Sequence, residues 1–199
     1  ILAAVGSKIT ILEYAPSPLA AFDQDLVSML LQESQKAGID IKVNIKVVKI
    51  ECADNRFRIH SAADKEEVFE ADLVVHGAGR VQNVERLKLE MADIAHEEYR
   101  IKVNEYLQSE SNGSIYVAGD AHAAGIQLTP VAEMEGKVAA HNMLHGNSTV
   151  PDYLAVPSVV FSYPQLGMAG DPATPSSNVN IVFQDTSRKH INRRLGMSV

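Results

Sequence analysis

The sequence of 199 residues contains one cysteine, Cys52, which excludes a disulfide bond within the chain and is typical of a reducing compartment. It contains no run of about eighteen apolar residues, the length that a membrane-spanning helix requires. The opening stretch, ILAAVGSKITILE, lacks the charged flank and the cleavage pattern of a secretory signal peptide. We therefore expect a cytoplasmic protein that makes no contact with a membrane.

Positive charge is also scarce. The formal net charge is −7 at pH 7, and no basic block is long enough to line a nucleic-acid groove. The basic residues near the end of the chain favour a solvated or interface surface instead; they are Arg188, Lys189, Arg193 and Arg194. We expect no nucleic-acid partner. Hydrophobic residues make up 46% of the chain, enough for one large domain or two small ones.

Residues 114–146 predict a strand, a sharp turn, a loop and a helix. The apolar run at 115–117 is β-prone, and Gly119 and Asp120 end it. Glycine permits a close backbone approach, and the carboxylate lies beyond the carboxyl end of the strand, where open α/β sheets bind ligands. The same pattern also fits an ordinary βα unit that binds nothing.

The helix after this loop has clear start and stop signals. Thr129 is expected to be its N-cap, Pro130 its first helical residue, and Gly146 its stop. The predicted inward stripe is Val131, Met134, Val138 and Met143.

The sequence of this region, IYVAGD followed by LTPVAEMEGKVAAHNM, resembles the second flavin-binding segment of the glutathione reductase and dihydrolipoamide dehydrogenase family. The resemblance implies that Asp120 bonds the ribityl chain of FAD. It also implies that Leu128 and Thr129 meet the pyrimidine edge of the flavin. A helix N-terminus suits this electron-rich edge because it presents unpaired N–H groups and positive potential.

The beginning of the chain predicts the second half of a dinucleotide-binding βαβ unit. An apolar helix ends at Gly6, and a buried parallel strand at 8–13 ends at Glu13. Glu13 would accept hydrogen bonds from the adenine ribose and repel a 2′-phosphate, which favours NAD over NADP. The alternative is that Glu13 is a surface residue at the end of a strand.

The next elements continue this α/β pattern. Asp23 is expected to cap a helix that extends to Ala37, with Leu26, Met29 and Leu30 facing inward, and a strand follows at 39–43. Short alternating runs at 47–51, 57–61 and 68–69 then predict a small antiparallel meander.

A buried strand at 72–76 is expected to lead into GAGRVQN. This run resembles the A-x-G-R-x-P-N signature that closes the nucleotide domain of the same family, with Gln82 in place of proline. The resemblance implies that Gly79 lets the backbone approach the cofactor and that Arg80 anchors the loop. A generic glycine turn after a strand is the alternative.

Taken together, the segments resemble the pyridine nucleotide-disulfide oxidoreductases. The implied fold class is α/β: a Rossmann-like FAD/NAD(P)-binding fold with an inserted antiparallel meander, followed by the start of an α+β dimerisation domain. We predict an NAD(P)-binding domain at 1–111, a second FAD-binding segment at 112–150, and the dimerisation domain from 151. The last of these rests on Val160, Phe161 and Pro164, with a polar loop at 171–178 and a strand at 180–184.

The resemblance implies a flavoenzyme that passes electrons from NAD(P)H through FAD to a disulfide or another small-molecule substrate, and that acts as a homodimer. The sequence has no second cysteine for a redox pair and no glycine-rich loop. We therefore expect a piece of such an enzyme, truncated at both ends and inactive by itself, and we assign no catalytic residue. The alternative is a non-catalytic nucleotide-binding or interaction module on the same α/β core.

Overall fold

The computed structural model describes residues 1–62, 67–98, 100–122 and 126–170, together with residues 182 and 184. The chain divides into two compact units. One comprises residues 1–76 and 157–199, and the other comprises residues 77–156. The predicted loop at 171–178 and the basic cluster at 188–194 lie outside the described residues, as does most of the predicted strand at 180–184.

The first unit begins with the parallel pair that the sequence predicts. A short 3-10 turn at Ala3–Val5 ends at Gly6, whose φ of 91° places it in the left-handed region. Strand β1 (Ile9–Leu12) then pairs in parallel with β2 (Ile39–Lys42) across helix α1 (Gln24–Lys36). The expectation that β1 is buried was wrong: Ile11 is 42% exposed, because β2 is its only pairing partner among the described residues.

Helix α1 confirms its predicted cap and, of its predicted inward face, Leu30 but not Leu26. The Asp23 carboxylate accepts hydrogen bonds from the backbone N–H groups of Asp25 and Leu26, at 3.1 Å each. Val27 and Leu30 are buried, whereas Leu26 is 40% exposed and Met29 is half-buried. The inward face therefore keeps Leu30 as predicted, and Val27 takes the place assigned to Leu26.

The predicted meander is confirmed. Strands β3 (Val47–Ala53), β4 (Arg56–Ser61) and β5 (Glu67–Ala71) form an antiparallel sheet in the order β3-β4-β5. Asp54 and Asn55 connect the first two strands with φ values of 52° and 60°. Two consecutive positive φ values match the twist of a two-residue hairpin, and Asp and Asn tolerate them better than most residues do.

The predicted buried strand at 72–76 is not a strand. Leu73 and Val75 are 69% and 77% exposed. A parallel strand needs a neighbouring strand for its hydrogen bonds and a covering layer for its apolar side chains. Among the residues that the structure describes, no strand pairs with this segment, so its apolar composition is not sufficient to order it as a strand.

The second unit has little regular sheet. The two-residue strands β6 (His96–Glu97) and β7 (Arg100–Ile101) pair antiparallel, and α2 (Thr129–His145) is the long helix. The predicted strand at 115–117 is reduced to a single bridge between Tyr116 and Gln108. Even so, Val117 is 7% exposed and belongs to a buried cluster with Val84, Leu89 and Ile101.

A hairpin of β8 (Pro157–Val160) and β9 (Leu166–Ala169) completes the first unit. Its Leu166 packs in one buried cluster with Val27 and Leu30 of α1. This contact explains why those two residues, rather than Leu26, form the inward face of the helix. No described helix is both long and apolar enough to cross a membrane.

Candidate functional site

A tight turn at the beginning of the candidate site contains Gly119 and Asp120. Gly119 has a φ of 71° and opens a 3-10 turn that runs from Gly119 to Ala121. A Cβ atom placed on Gly119 would lie 3.2 Å from the Cβ of Ala132 in helix α2. Both the backbone conformation and the close approach of the helix therefore favour glycine at this position.

Helix α2 begins one residue away from the prediction. Its N-cap is Leu128, in an extended conformation, and Thr129 is already helical. No side chain caps this end of the helix, and Pro130 removes one of its N–H donors. Because the Thr129 hydroxyl does not bond the first turn, the sequence signal for an N-cap was wrong by one position. The N-terminal turn keeps N–H groups that no side chain satisfies.

Arg80 connects the two predicted cofactor motifs. Its Nη1 lies 3.2 Å from Asp120 Oδ2, and its Nη2 donates a hydrogen bond of 3.2 Å to the carbonyl of Gln127. Gly79, with a φ of 87°, turns the backbone immediately before it. The guanidinium thus contacts both the turn that carries Asp120 and the backbone that leads into Leu128.

Glu13 lies in the other unit, immediately after β1. Its backbone N–H donates to the carbonyl of Lys42 at 2.8 Å, which extends the pairing of β1 with β2. Its half-buried carboxylate accepts a hydrogen bond of 2.8 Å from the N–H of Ala15. This local bond fixes the direction of the carboxylate at the carboxyl end of the strand, while one oxygen keeps its acceptor capacity for a ligand.

A buried polar cluster that the sequence did not predict lies behind the turn. Glu135 is fully buried, at 0% exposure, and accepts a hydrogen bond of 2.6 Å from the backbone N–H of Gly119. Its other oxygen accepts a hydrogen bond of 2.7 Å from the Tyr153 hydroxyl. His122 Nε2 lies 3.1 Å from that same oxygen, with the imidazole almost completely buried.

The two ring side chains of this cluster, Tyr153 and His122, differ in their hydrogen bonding to Glu135. Burial, and then the hydrogen bond to Glu135, raise the pKa of the Tyr153 hydroxyl, so Tyr153 stays a donor throughout the neutral range. Although His122 is close to Glu135, neither of its ring nitrogens completes a hydrogen bond within the described part of the chain. His122 and Tyr153 also line a cavity of about 210 Å³, together with Val103, Asn104, Glu105, Leu107 and Pro151.

The buried face of α2 differs from the predicted apolar stripe, and this difference explains why the sequence did not predict the cluster. The buried positions are Val131, Glu135, Ala139 and Asn142, whereas Met143 is 58% exposed. Two of the four buried residues are polar, and a search for apolar periodicity passes over them. The spacing itself was informative, because Glu135 follows Val131 by one helical turn and therefore lies on the same face.

The parallel β1-α1-β2 unit and the glycine turns define an α/β protein of the dinucleotide-binding type. Residues 1–136 match the pyridine nucleotide-disulphide oxidoreductase family, and the chain belongs to that family. It is 32% identical over 167 residues to a glutathione reductase from Burkholderia cepacia, covering 83% of this chain and 36% of that protein. It is 45% identical over 85 residues to a 19.7 kDa protein of a mercuric resistance operon in Staphylococcus aureus, covering 42% of this chain and 47% of that protein.

Among solved structures, the chain is similar to RclA from Escherichia coli, described as an HOCl-induced flavoprotein disulfide reductase. The TM-score is 0.83 at 25% sequence identity, and the match covers 98% of this chain and 45% of RclA. The similarity confirms the predicted Rossmann-like α/β fold. The chain spans less than half the length of each of these three proteins.

Proposed function

We propose that the complete protein carrying this sequence is a flavoenzyme that transfers electrons from a pyridine nucleotide through FAD to a disulfide or another small-molecule acceptor. The observation that carries the proposal is the contact of Arg80 with both Asp120 and the backbone before α2. It brings together Arg80 and Asp120, which belong to two predicted cofactor motifs far apart in the sequence of this chain.

Asp120 suits a ribityl hydroxyl. Its side chain is 42% exposed, and one of its oxygens faces Arg80. A carboxylate has about four acceptor positions, so Asp120 can pair with Arg80 and still accept a hydrogen bond from a ligand hydroxyl. Gly119 would support this role because it lets the turn approach α2 closely, where an added Cβ would lie 3.2 Å from the Cβ of Ala132.

The N-terminus of α2 suits the carbonyl edge of a flavin ring. The uncapped N–H groups of its first turn, beginning at Thr129, would donate to an electron-rich oxygen or nitrogen. Leu128 is half-buried and would contribute apolar contact beside them. In its bound state, FAD would supply the redox chemistry, while these residues would bind and orient it.

Glu13 is proposed to bind the adenine ribose of the pyridine nucleotide. Its position after a parallel strand is the place where a Rossmann unit meets that sugar. The bond from Ala15 orients the carboxylate. Because a 2′-phosphate would place like charges together, we propose NADH as the preferred reductant over NADPH. Gly79 would allow the close approach of a cofactor to the loop that Arg80 anchors.

The finer features of the enzyme follow the family pattern. We propose a cytoplasmic homodimer, with the region after Val150 contributing to the dimerisation domain. This part of the proposal rests on the membership of the chain in the pyridine nucleotide-disulphide oxidoreductase family.

An anaerobic titration of the complete protein tests the proposal. The purified protein should carry FAD, and stoichiometric NADH should bleach the visible absorbance of the oxidised flavin. NADPH serves as the comparison and should bleach it more slowly. A protein that binds no flavin, or a bound flavin that neither nucleotide reduces, would contradict the proposed function.

A further inference from the structure

Glu135 occupies a position that a glutamate rarely holds. Its side chain is completely buried at 0% exposure in the middle of helix α2. Burying a carboxylate is costly unless hydrogen bonds compensate for the lost water. Here two donors compensate, because Gly119 N–H donates to Oε2 at 2.6 Å and Tyr153 O–H donates to Oε1 at 2.7 Å.

The bond to Gly119 joins Glu135 to the turn proposed to bind the flavin. Glu135 is sixteen residues further along the chain, and the N–H that it accepts from belongs to the residue directly before Asp120. Charge-assisted hydrogen bonds of this length are stronger than neutral ones. The bond therefore fixes the Ala118–Gly119 peptide plane, which immediately precedes the peptide that leads to Asp120, and it does so from the interior of a helix.

The Tyr153 hydroxyl fixes the orientation of the Glu135 carboxylate. Its hydroxyl donates to the oxygen that does not face Gly119, so rotation of the Glu135 carboxylate would break both bonds together. His122 lies beside the same oxygen at 3.1 Å and fills the space around it. Both residues come from segments outside α2, and of these two Tyr153 is the one that completes a hydrogen bond to the carboxylate.

We propose that Glu135, held by Tyr153, is a positioning residue that sets the Gly119–Asp120 turn for FAD binding. The inference rests on the proposed function, since it assigns the turn to the flavin. Glu135 itself would not contact the cofactor, because its side chain is completely buried. It acts through the direction of Asp120.

A double-mutant cycle in the complete protein tests this role, with the dissociation constant of FAD as the readout. Asp120→Ala and Glu135→Ala should each weaken FAD binding about tenfold. If Glu135 acts through Asp120, the double variant should be about tenfold weaker than the wild type, not about a hundredfold. Glu133→Ala is the matched control, because Glu133 lies on the same helix with its side chain 69% exposed and should bind FAD normally.

Two outcomes of the cycle would overturn the inference. One is unchanged FAD affinity in Glu135→Ala, and the other is an additive double variant, which would show that Glu135 acts independently of Asp120. Unchanged affinity in Asp120→Ala is a different result, since it would remove the flavin assignment of the turn and so the proposed site itself.

Conservative variants keep the test decisive if Glu135→Ala does not fold. Glu135→Gln retains one acceptor for the Gly119 N–H and should bind FAD within about threefold of the wild type. Tyr153→Phe removes only the hydroxyl and should weaken FAD binding about threefold or more. Tyr116→Phe removes a hydroxyl that bonds Asn147 at 2.6 Å and should not weaken it. Equal affinities for the two tyrosine variants would contradict the inference.

Discussion

Arg80 Nη1 lies 3.2 Å from Asp120 Oδ2 in an ion pair whose side chains are 64% and 42% exposed. Exposed ion pairs contribute little to folding stability, typically about 0–1 kcal/mol. The pair is therefore better placed to orient Asp120 than to hold the unit together. The second bond of Arg80, to the carbonyl of Gln127, extends this orienting effect to the start of α2.

Replacing Arg80 with alanine should separate orientation from stability. We expect Arg80→Ala to change the free energy of unfolding by less than about 1 kcal/mol. FAD binding to the complete protein should weaken about threefold or more, measured by equilibrium titration. Arg58→Ala is the control, because Arg58 pairs with Glu70 at 3.5 Å at similar exposure, outside the candidate site. Identical FAD affinities for the two variants would contradict this role of Arg80.

Gly119 should tolerate alanine less well than another glycine of similar conformation. Alanine in the left-handed region costs about 1–2 kcal/mol, and this cost applies both to Gly119 and to Gly38, with φ values of 71° and 83°. A new Cβ at Gly119 would also lie 3.2 Å from Ala132, whereas Gly38 has nothing within 4 Å. Chemical denaturation should therefore show a larger loss for Gly119→Ala. Equal losses would show that the contact with α2 is relaxed at no cost.

The position of Glu13 predicts that the complete protein prefers NADH to NADPH. With NADPH, a phosphate would replace the hydroxyl that donates to the carboxylate, and we expect discrimination of about 2–4 kcal/mol in favour of NADH, or roughly thirtyfold to a thousandfold. The ratio of kcat/KM for NADH to that for NADPH should fall sharply in Glu13→Ala. Glu33→Ala, which removes an acid paired with Lys36 on α1, should keep the ratio of the wild type. A wild type that prefers NADPH would refute this role of Glu13.

The raised pKa of Tyr153 predicts how the free energy of unfolding depends on pH in alkaline solution. Burial and then the bond to Glu135 raise the pKa of the hydroxyl above its ordinary value of 10.0. A pKa raised in the folded state stabilises the fold below about pH 10, and this stabilisation is lost as the pH rises through the folded-state pKa. Above pH 10, the free energy of unfolding should therefore fall less steeply in Tyr153→Phe than in the wild type.

Ultraviolet titration of the folded protein gives an independent check of the same pKa. The chain has six tyrosines. Tyr153→Phe should leave the absorbance change around pH 10 unaltered, because Tyr153 does not ionise there. A smaller absorbance change in Tyr153→Phe than in the wild type would show that the Tyr153 hydroxyl ionises in this range and would contradict the raised pKa.

The elements that the sequence predicted well are those with local signals. Asp23 caps α1 through its own side chain, and Asp54 with Asn55 forms the turn of the meander. The predicted strands at 72–76 and 115–117 depended on partners elsewhere, and composition alone could not supply those partners.

The sequence motifs predicted the residues of the candidate site, but they did not predict the buried polar residues behind it. Glycine and acid signatures in the sequence pointed to Gly119, Asp120 and Arg80. The burial of Glu135 was not predicted, because a charged residue within a helix is expected to be solvent-exposed unless its hydrogen-bond partners are known. Those partners, Gly119 and Tyr153, lie sixteen and eighteen residues away along the chain.

The affinity of the complete protein for FAD, compared between wild type and Asp120→Ala, tests the central claim most directly. Loss of a charge-assisted hydrogen bond to the ribityl chain should cost about 1–3 kcal/mol and raise the dissociation constant about tenfold or more. Asp72→Ala is the control, because that aspartate pairs with Arg56 at 3.4 Å outside the candidate site and its side chain is 91% exposed. The account predicts weakened FAD binding in Asp120→Ala alone; wild-type affinity in that variant would contradict it.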